Sequence, residues 1–328
     1  MNMRFMRSAV TGVGGYLPET ILSNDDFARM VDTSDEWIRE RTGITQRHKA
    51  ADGEVTSDLA VAAAKVALAA AGKQADEVDL IIIATTTPDM TFPSTASIVQ
   101  RKLGVPAGAA FDVQAVCSGF VYALSVADGF VARGLSKCAL IIGAEVMSRI
   151  LDYTDRGTCI LFGDGAGAVV LEPVEGEGTP QDRGILGFDL QCDGTKTDLL
   201  YVDGGVFDND YRAGKIRMQG NQVFKHAVHK ISQAVESAVE KSNISIADID
   251  WFVPHQANQR ILKGVAERLG LDEKKVISTV ATHANTSAAS IPLAWWEGVR
   301  DGRIKRGDLV LIEALGGGLT WAAAAIRL

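Results

Sequence analysis

The sequence predicts an α/β protein made of two duplicated βα-rich halves, and three observations carry that reading. The segment Leu80-Ile81-Ile82-Ile83-Ala84 is apolar at every position, as a parallel strand covered on both faces requires. The order helix, acidic turn, strand, helix, strand, polar residue, helix, strand occurs twice along the chain. The spacing repeats too: Gly134 follows Cys117 by 17 residues (134 − 117), and Gly302 follows Asn285 by the same interval (302 − 285).

Each element has a local cause. A helix is expected over residues 59–71, where alanines dominate and Gly72 supplies the stop. Asp76-Glu77-Val78-Asp79 turns the chain into the apolar strand, and the next helix ends in Arg101-Lys102-Leu103-Gly104. A short apolar run then leads through Cys117 into a buried helix ending at Gly134, followed by a strand over 137–143. The second half begins with a helix over 223–241, the acidic turn Ala247-Asp248-Ile249-Asp250 and the strand Trp251-Phe252-Val253. A helix ending in Glu267-Arg268-Leu269-Gly270 follows, then a helix from Asn285 to Gly302 and a strand over 307–312. Residues 172–183 are rich in Gly, Pro and acidic side chains and read as a turn-rich connector, dividing the chain into halves 1–172 and 173–328.

Composition narrows the class. The chain has 328 residues, 47% hydrophobic and 23% charged, an ordinary globular balance. No apolar run has the length to span a bilayer. The basic start, residues 1–7, is not followed by the apolar core of a signal peptide, so the cytoplasm is the expected compartment and no membrane partner is expected. The four cysteines, Cys117, Cys138, Cys159 and Cys192, show no metal-ligand spacing, so neither structural zinc nor a disulfide framework is expected. A net charge of −8 argues against nucleic acid. One stretch departs from that acidity: residues 211–234 contain no Asp or Glu but carry Arg212, Lys215, Arg217, Lys225 and Lys230. Such a run is ordinarily a solvated face, and it is also the first place to seek an anionic ligand.

Reactive side chains concentrate at three positions. Cys117, at an expected helix N-terminus, meets the positive end of the backbone dipole and unpaired N–H groups. Both favour thiolate, and the same N–H groups can hold a developing oxyanion. A buried core cysteine is the commoner fate of a lone thiol, so the rest of the chain must decide. The duplication places Cys117 and Asn285 at equivalent helix starts facing one site. His255 falls just after a strand of the second half, at the end where α/β sites gather. Among the other histidines, His48, His226 and His229 carry no motif, and His283 reads as structural. Cys, His and Asn together suit either a cysteine protease, with His as base, or a carbon–carbon condensing enzyme, with His and Asn donating to a thioester oxygen. The papain-type sequence around the cysteine is absent, and a duplicated chain with Cys and Asn on matching helices favours condensation.

Motifs along the whole chain then become specific. They comprise Thr33-Ser34-Asp35-Glu36-Trp37-Ile38, Arg41-Thr42-Gly43-Ile44, Cys117-Ser118-Gly119-Phe120, Thr154-Asp155-Arg156-Gly157-Thr158 and Phe162-Gly163-Asp164-Gly165-Ala166-Gly167-Ala168. His255-Gln256-Ala257-Asn258, Asn285-Thr286-Ser287-Ala288-Ala289-Ser290 and Glu313-Ala314-Leu315-Gly316-Gly317-Gly318 complete the set. In this order the chain resembles the thiolase superfamily, and within it the β-ketoacyl-acyl-carrier-protein synthase III family, which begins bacterial fatty-acid synthesis. Chain-elongating relatives resemble a Cys-His-His pattern, where this chain has Asn285. Thiolases carry a second cysteine in the C-terminal glycine loop, where this chain has Gly316-Gly317-Gly318. The glycines of 162–168 lack the full dinucleotide fingerprint and are read as close backbone packing.

The resemblance implies a thiolase-like fold layered α-β-α-β-α and an acyltransferase that needs no cofactor beyond its coenzyme A thioester substrate. A short acyl group, expected to be acetyl, would pass to Cys117, its oxygen held by the N–H groups of Cys117 and Gly317. His255 and Asn285 would hold the thioester oxygen of malonyl on an acyl carrier protein as CO₂ leaves. Thr33, Trp37, Arg41, Arg156, Gly220, Phe224 and Asn258 match coenzyme A contacts, Trp37 and Arg156 enclosing the adenine. Lys225 and Arg260 match carrier-docking positions, while Glu267 stands where some relatives carry a basic residue. The family is dimeric, and Phe92 would line the partner's acyl pocket. Relatives often have Gly before the active-site Asn; Ala284 here implies a backbone free of any glycine-only conformation. A condensing enzyme of secondary metabolism and a non-catalytic carrier-binding relative are the alternatives left by the residues.

Overall fold

The computed structural model describes residues 5–205 and 214–328. Arg212, in the basic stretch, lies outside the described residues. The first half runs β1 (Phe5–Tyr16), β2 (Thr20–Ser23), α1 (Asn24–Ala28), α2 (Asp35–Thr42), β3 (Gln46–Lys49), α3 (Thr56–Ala71), β4 (Leu80–Ala84), α4 (Thr95–Leu103), β5 (Ala109–Val113), α5 (Gly119–Ala132), β6 (Ala139–Val146) and β7 (Asp164–Gly176). The second runs β8 (Gly184–Cys192), β9 (Leu200–Val202), β10 (Ile216–Met218), α6 (Gly220–Lys241), β11 (Trp251–Pro254), α7 (Gln259–Leu269), α8 (Val280–His283), α9 (Ser290–Arg300), β12 (Leu309–Gly316) and β13 (Thr320–Arg327).

The duplication is written in the sheets. The first has the order β1-β7-β6-β4-β5 and the second the order β8-β13-β12-β11. Corresponding pairs also run in corresponding directions: β1–β7 and β8–β13 antiparallel, β6–β7 and β12–β13 antiparallel, β4–β6 and β11–β12 parallel. Where β5 pairs along all of β4, the second half keeps one parallel bridge, Phe252 to Val276.

Alternation along the strands builds the layers. Leu80, Ile82 and Ala84 face a core shared with α5, α9 and the inner residues of β11, β12 and β13. Ile81 and Ile83 face the opposite way, onto α3 and α4. Leu309 and Leu311 pack against α6 and α7 on the far side. The result is the expected α-β-α-β-α stack, with α5 and α9 in the middle. Small residues let the layers close. Gly14 lies against the backbone of Ala63 and Ala67, so a Cβ there would collide with α3. Gly167 of β7 likewise lies against Pro292 and Leu293 of α9, which fits the packing role read for that glycine run.

Three expectations need correction. The 172–183 segment is not all connector: Glu172 to Gly176 continue β7, paired with Ala9 to Phe5. Turn-forming glycine and proline there concealed an edge pairing that the partner strand makes favourable. The Cys117–Asn285 equivalence is offset by three residues. A 3₁₀ turn begins at Val116 before α5 and at Ser287 before α9, and both residues have φ of 50°. Cys117 therefore corresponds to Ala288, and Asn285 precedes the mirrored turn. The equal 17-residue spacings arose because α9, at 11 residues, is shorter than α5, at 14. Ala284, finally, adopts φ 58° and ψ −158°, a region suited to glycine, because the chain must reverse between α8 and the Asn285 loop.

Candidate active site

Cys117 sits at the junction of two cavities. The first, of about 290 Å³, is lined by Cys117, His255 and Asn285 together, with Arg41, Gly220, Phe224, Asn258 and Arg260 among its other walls. The second, of about 380 Å³, is lined by Cys117, Thr86, Gln114, Val116, Met147, Ile150 and Ile216, among others. Phe162 and Leu200 border both. The topology thus brings the three sequence-selected reactive residues to one space.

Cys117 is held tightly. Its 3₁₀ turn is fixed by the Ser118 hydroxyl, which donates to the Ala115 carbonyl at 2.7 Å. Thr320 Oγ1 reaches the same carbonyl at 2.9 Å from the second half. Gly316 passes so close that a Cβ would stand 2.6 Å from the Cys117 nitrogen. Burial pushes the Cys117 thiol up to about 12, opposed by the nearby Ser287 hydroxyl and by its own backbone, and reinforced by Glu145. The expectation that a helix start would favour thiolate is therefore outweighed by desolvation.

His255 is placed by the end of β11: its N–H donates to the Glu313 carbonyl at 2.8 Å. Its Nδ1 lies 2.6 Å from the Ser290 hydroxyl. Burial pushes the ring down to about 3, so it is neutral across the ordinary pH range. Asn285 is anchored on both sides, its N–H donating to Leu161 O at 2.9 Å and its carbonyl accepting from Gly163 N at 3.0 Å. Its Oδ1 accepts the Ser287 N–H at 2.8 Å, which orients the amide.

Other expected positions scatter more widely. Trp37 stands in the first turn of α2, capped by Ser34, with Arg41 over its ring at 4.3 Å and Arg156 at 5.0 Å. Arg156 is tethered by the Asp32 carbonyl at 2.6 Å. Among the described residues, Trp37 and Arg156 do not line the first cavity, whereas Arg41, stacked on Trp37, does. Thr33 keeps a buried hydroxyl without a partner among the described residues and is not among the residues lining that cavity. Asn258 also has a structural duty, capping α7 by accepting from Ile261 N at 3.0 Å. Arg260 donates to the Glu40 carbonyl at 3.1 Å, tying α7 to the end of α2. Gly317 packs against Leu200 O at the loop after β12. Phe92 is 82% exposed on the single chain and lines neither cavity.

Two cations of the acid-free stretch are paired with acids from elsewhere in the fold. Arg217 pairs with Asp152 and Asp203, and Lys230 lies 3.6 Å from Asp193 and over Trp321. Lys225 is exposed and makes no ion pair among the described residues. Sequence order cannot reveal such pairing, because the acids come from distant segments.

Sequence reasoning missed the cage around Glu145. This fully buried carboxylate accepts from the Thr86 N–H and from the hydroxyls of Thr85, Thr86 and Thr87, the last at 2.6 Å. It ties the loop after β4 to β6, beside the second cavity. The run of three threonines at a strand end was the available signal. The role of Ser290 was also missed, although its motif was recognised.

These features have close counterparts. Models of 3-oxoacyl-[acyl-carrier-protein] synthase III match residues 111–194, and of its C-terminal part residues 239–328. The β-ketoacyl-[acyl-carrier-protein] synthase III of Caulobacter vibrioides is 71% identical over 323 residues, covering 98% of this chain and all of the relative. This chain belongs to the β-ketoacyl-[acyl-carrier-protein] synthase III family. It is therefore a condensing acyltransferase of fatty-acid synthesis with a thiolase-like fold. Among solved members, the Aquifex aeolicus 3-oxoacyl-[acyl-carrier-protein] synthase III aligns with a TM-score of 0.91 at 44% identity, covering 98% of this chain and all of the other. The priming β-ketosynthase of the R1128 polyketide pathway aligns at 0.92 with 35% identity, covering 99% of this chain and 96% of the other. Among the described residues, no helix is long and apolar enough to cross a membrane.

Proposed function

We propose that this protein transfers a short acyl group, acetyl in the first instance, from coenzyme A to Cys117. It then condenses that group with malonyl on an acyl carrier protein. The carrying observation is the convergence of Cys117, His255 and Asn285 on one cavity. The thiol attacks the thioester carbonyl while the N–H groups of Cys117 and Gly317 hold the oxygen, and coenzyme A leaves as its thiol. Because the thiol is a weak acid in its buried site, proton loss accompanies attack on the bound thioester. The second cavity, with mostly apolar walls, receives the acyl chain. In the second half-reaction, His255 and Asn285 donate to the malonyl thioester oxygen. CO₂ departs, the enolate carbon attacks acyl-Cys117, and 3-ketoacyl carrier protein is released as the thiolate is restored.

The remaining roles follow as one proposal. Thr33, Trp37, Arg41, Arg156, Gly220, Phe224 and Asn258 serve coenzyme A, with adenine entering between Trp37 and Arg156. Lys225 and Arg260 meet the acidic carrier. A second copy of the chain supplies Phe92 to its neighbour's acyl pocket, and the functional halves divide after β7, between Gly176 and Gly184. The chain works in the cytoplasm without a further cofactor.

The test mixes the protein with a panel of acyl-coenzyme A thioesters and follows Cys117 by mass spectrometry, then adds malonyl carrier protein. Acetylation followed by discharge is expected. Labelling only by longer or unusual acyl groups selects a secondary-metabolic condensing enzyme, and no label selects a non-catalytic relative. Asn285→Ala should slow condensation by about 10²-fold while acyl transfer persists, since one oxyanion donor is removed. Equal loss of both steps removes Asn285 from this role.

A further inference from the structure

The Ser290 hydroxyl has two partners among the described residues. The Gln256 N–H points to it at 3.4 Å and can only donate, while His255 Nδ1 stands 2.6 Å away. The hydroxyl makes no hydrogen bond to a carbonyl or carboxylate among those residues, so its hydrogen has one protein acceptor, Nδ1. The oxygen could accept a second time, but its own hydrogen also needs an acceptor in a site only 1% exposed, and Nδ1 at 2.6 Å is the one within reach.

We infer that Ser290 is a positioning residue that fixes the tautomer of His255, donating to Nδ1 so that hydrogen resides on Nε2. This deepens the proposed function and rests on it. Nε2 is then the ring's N–H donor to the cavity that His255 lines, suited to a thioester oxygen and its enolate. The same assignment means that Nε2 of resting His255 has no lone pair to accept the Cys117 proton. The depressed basicity of the buried ring agrees with a neutral donor that stays neutral.

Ser290 is suited to this task by place. It opens α9 in the middle layer, is 1% exposed, and its helix begins five residues after Asn285 in the chain. One segment therefore carries both the Asn donor and the group that orients the His donor. Gln256, next to His255, is itself locked, its Oε1 accepting from Thr279 N at 2.7 Å and its Nε2 donating to Pro254 O at 2.7 Å. The backbone N–H that holds Ser290 Oγ is thus fixed by the same loop.

The test is two-bond ¹H–¹⁵N correlation on full-length protein labelled with ¹⁵N-histidine, with both half-reactions measured for Ser290→Ala and Ser290→Thr. The wild type should show His255 protonated at Nε2 and bare at Nδ1, and Ser290→Ala should populate both tautomers. Condensation by Ser290→Ala should fall by about 10²-fold with acyl loading of Cys117 within about three-fold, and the Thr variant, which keeps a hydroxyl, should recover most of the rate. A wild-type His255 protonated at Nδ1 overturns the inference. So does an alanine variant that condenses at the wild-type rate, or one that loses loading and condensation equally. If the wild type itself neither loads nor condenses, the functional reading falls, and the tautomer spectrum still decides the Ser290 bond.

Discussion

At the scale of single residues, backbone strain gathers beside the reactive side chains. Val116 and Ser287 have φ of 50°, and Ala284 has φ of 58°. A β-branched residue rarely adopts such a conformation, and Ala284 combines its φ with a ψ of −158° that only glycine takes without strain. The cost at Ala284 is about 1–3 kcal/mol, and it is borne because Asn285 must be presented between Leu161 O and Gly163 N. Ala284→Gly relieves that strain but gives up a buried methyl and adds freedom to the unfolded chain, each worth about 0.8 kcal/mol. Strain toward the upper end of that range exceeds the two losses together, so the variant should be more stable, by up to about 1 kcal/mol in urea unfolding. A less stable variant would show that the loop does not hold Ala284 in this conformation. The sequence offered the clue in reverse: alanine in a glycine position was visible, but only the path of the loop shows that the glycine conformation is kept.

At the scale of elements, the long helices and the apolar strands were legible because periodicity and glycine stops are local properties. Gly72, Gly104 and Gly270 each end a helix in a left-handed conformation, at φ of 67°, 74° and 66°. The antiparallel pairs β2–β3 and β9–β10 escaped, since short polar strands such as Gln46–Lys49 have no hydrophobic period. The start of α9 was misplaced because a 3₁₀ turn ahead of it has the same composition as the helix. Glycine separates two kinds of constraint at this scale. Gly72 needs its backbone freedom but has open space around it, whereas Gly14 has an ordinary φ and no space at all. Gly14→Ala should therefore push α3 off β1 and cost at least the ~1–3 kcal/mol of core overpacking. Gly72→Ala should cost about 1 kcal/mol through strain alone. Equal urea midpoints for the two variants would mean that α3 does not sit on β1 as closely as the backbone contacts require.

At the scale of the molecule, the internal repeat carried the most information, because it forecast that Cys117, His255 and Asn285 would meet across two mirrored sheets. What no repeat could forecast is the state of charges sealed between them. Glu313 illustrates this. It lies on β12, 1% exposed, with Oε2 lacking a hydrogen-bond partner among the described residues, while its backbone carbonyl holds the His255 N–H. Burial pushes its carboxyl up to about 8 from the ordinary 4.5. The folded protein therefore keeps a proton there that the unfolded chain has already released, and stability is lost as pH rises through this interval. His255 and His283 act in the other sense, pushed down by burial to about 3 and about 4. The unfolded chain protonates them below about 6.5 while the fold keeps them neutral, so acid removes stability. A substitution isolates the first effect from the second. Glu313→Gln keeps the backbone bond to His255 and cannot ionise, so its stability relative to wild type should improve steadily from about pH 5 to about pH 8 and then level. The total gain is on the order of a few kcal/mol, read from urea midpoints across pH. The histidine contribution is common to both proteins and cancels in the difference. A difference that does not change with pH would place the Glu313 proton in the unfolded chain as firmly as in the fold, and the buried carboxyl would then be ionised beneath the active site.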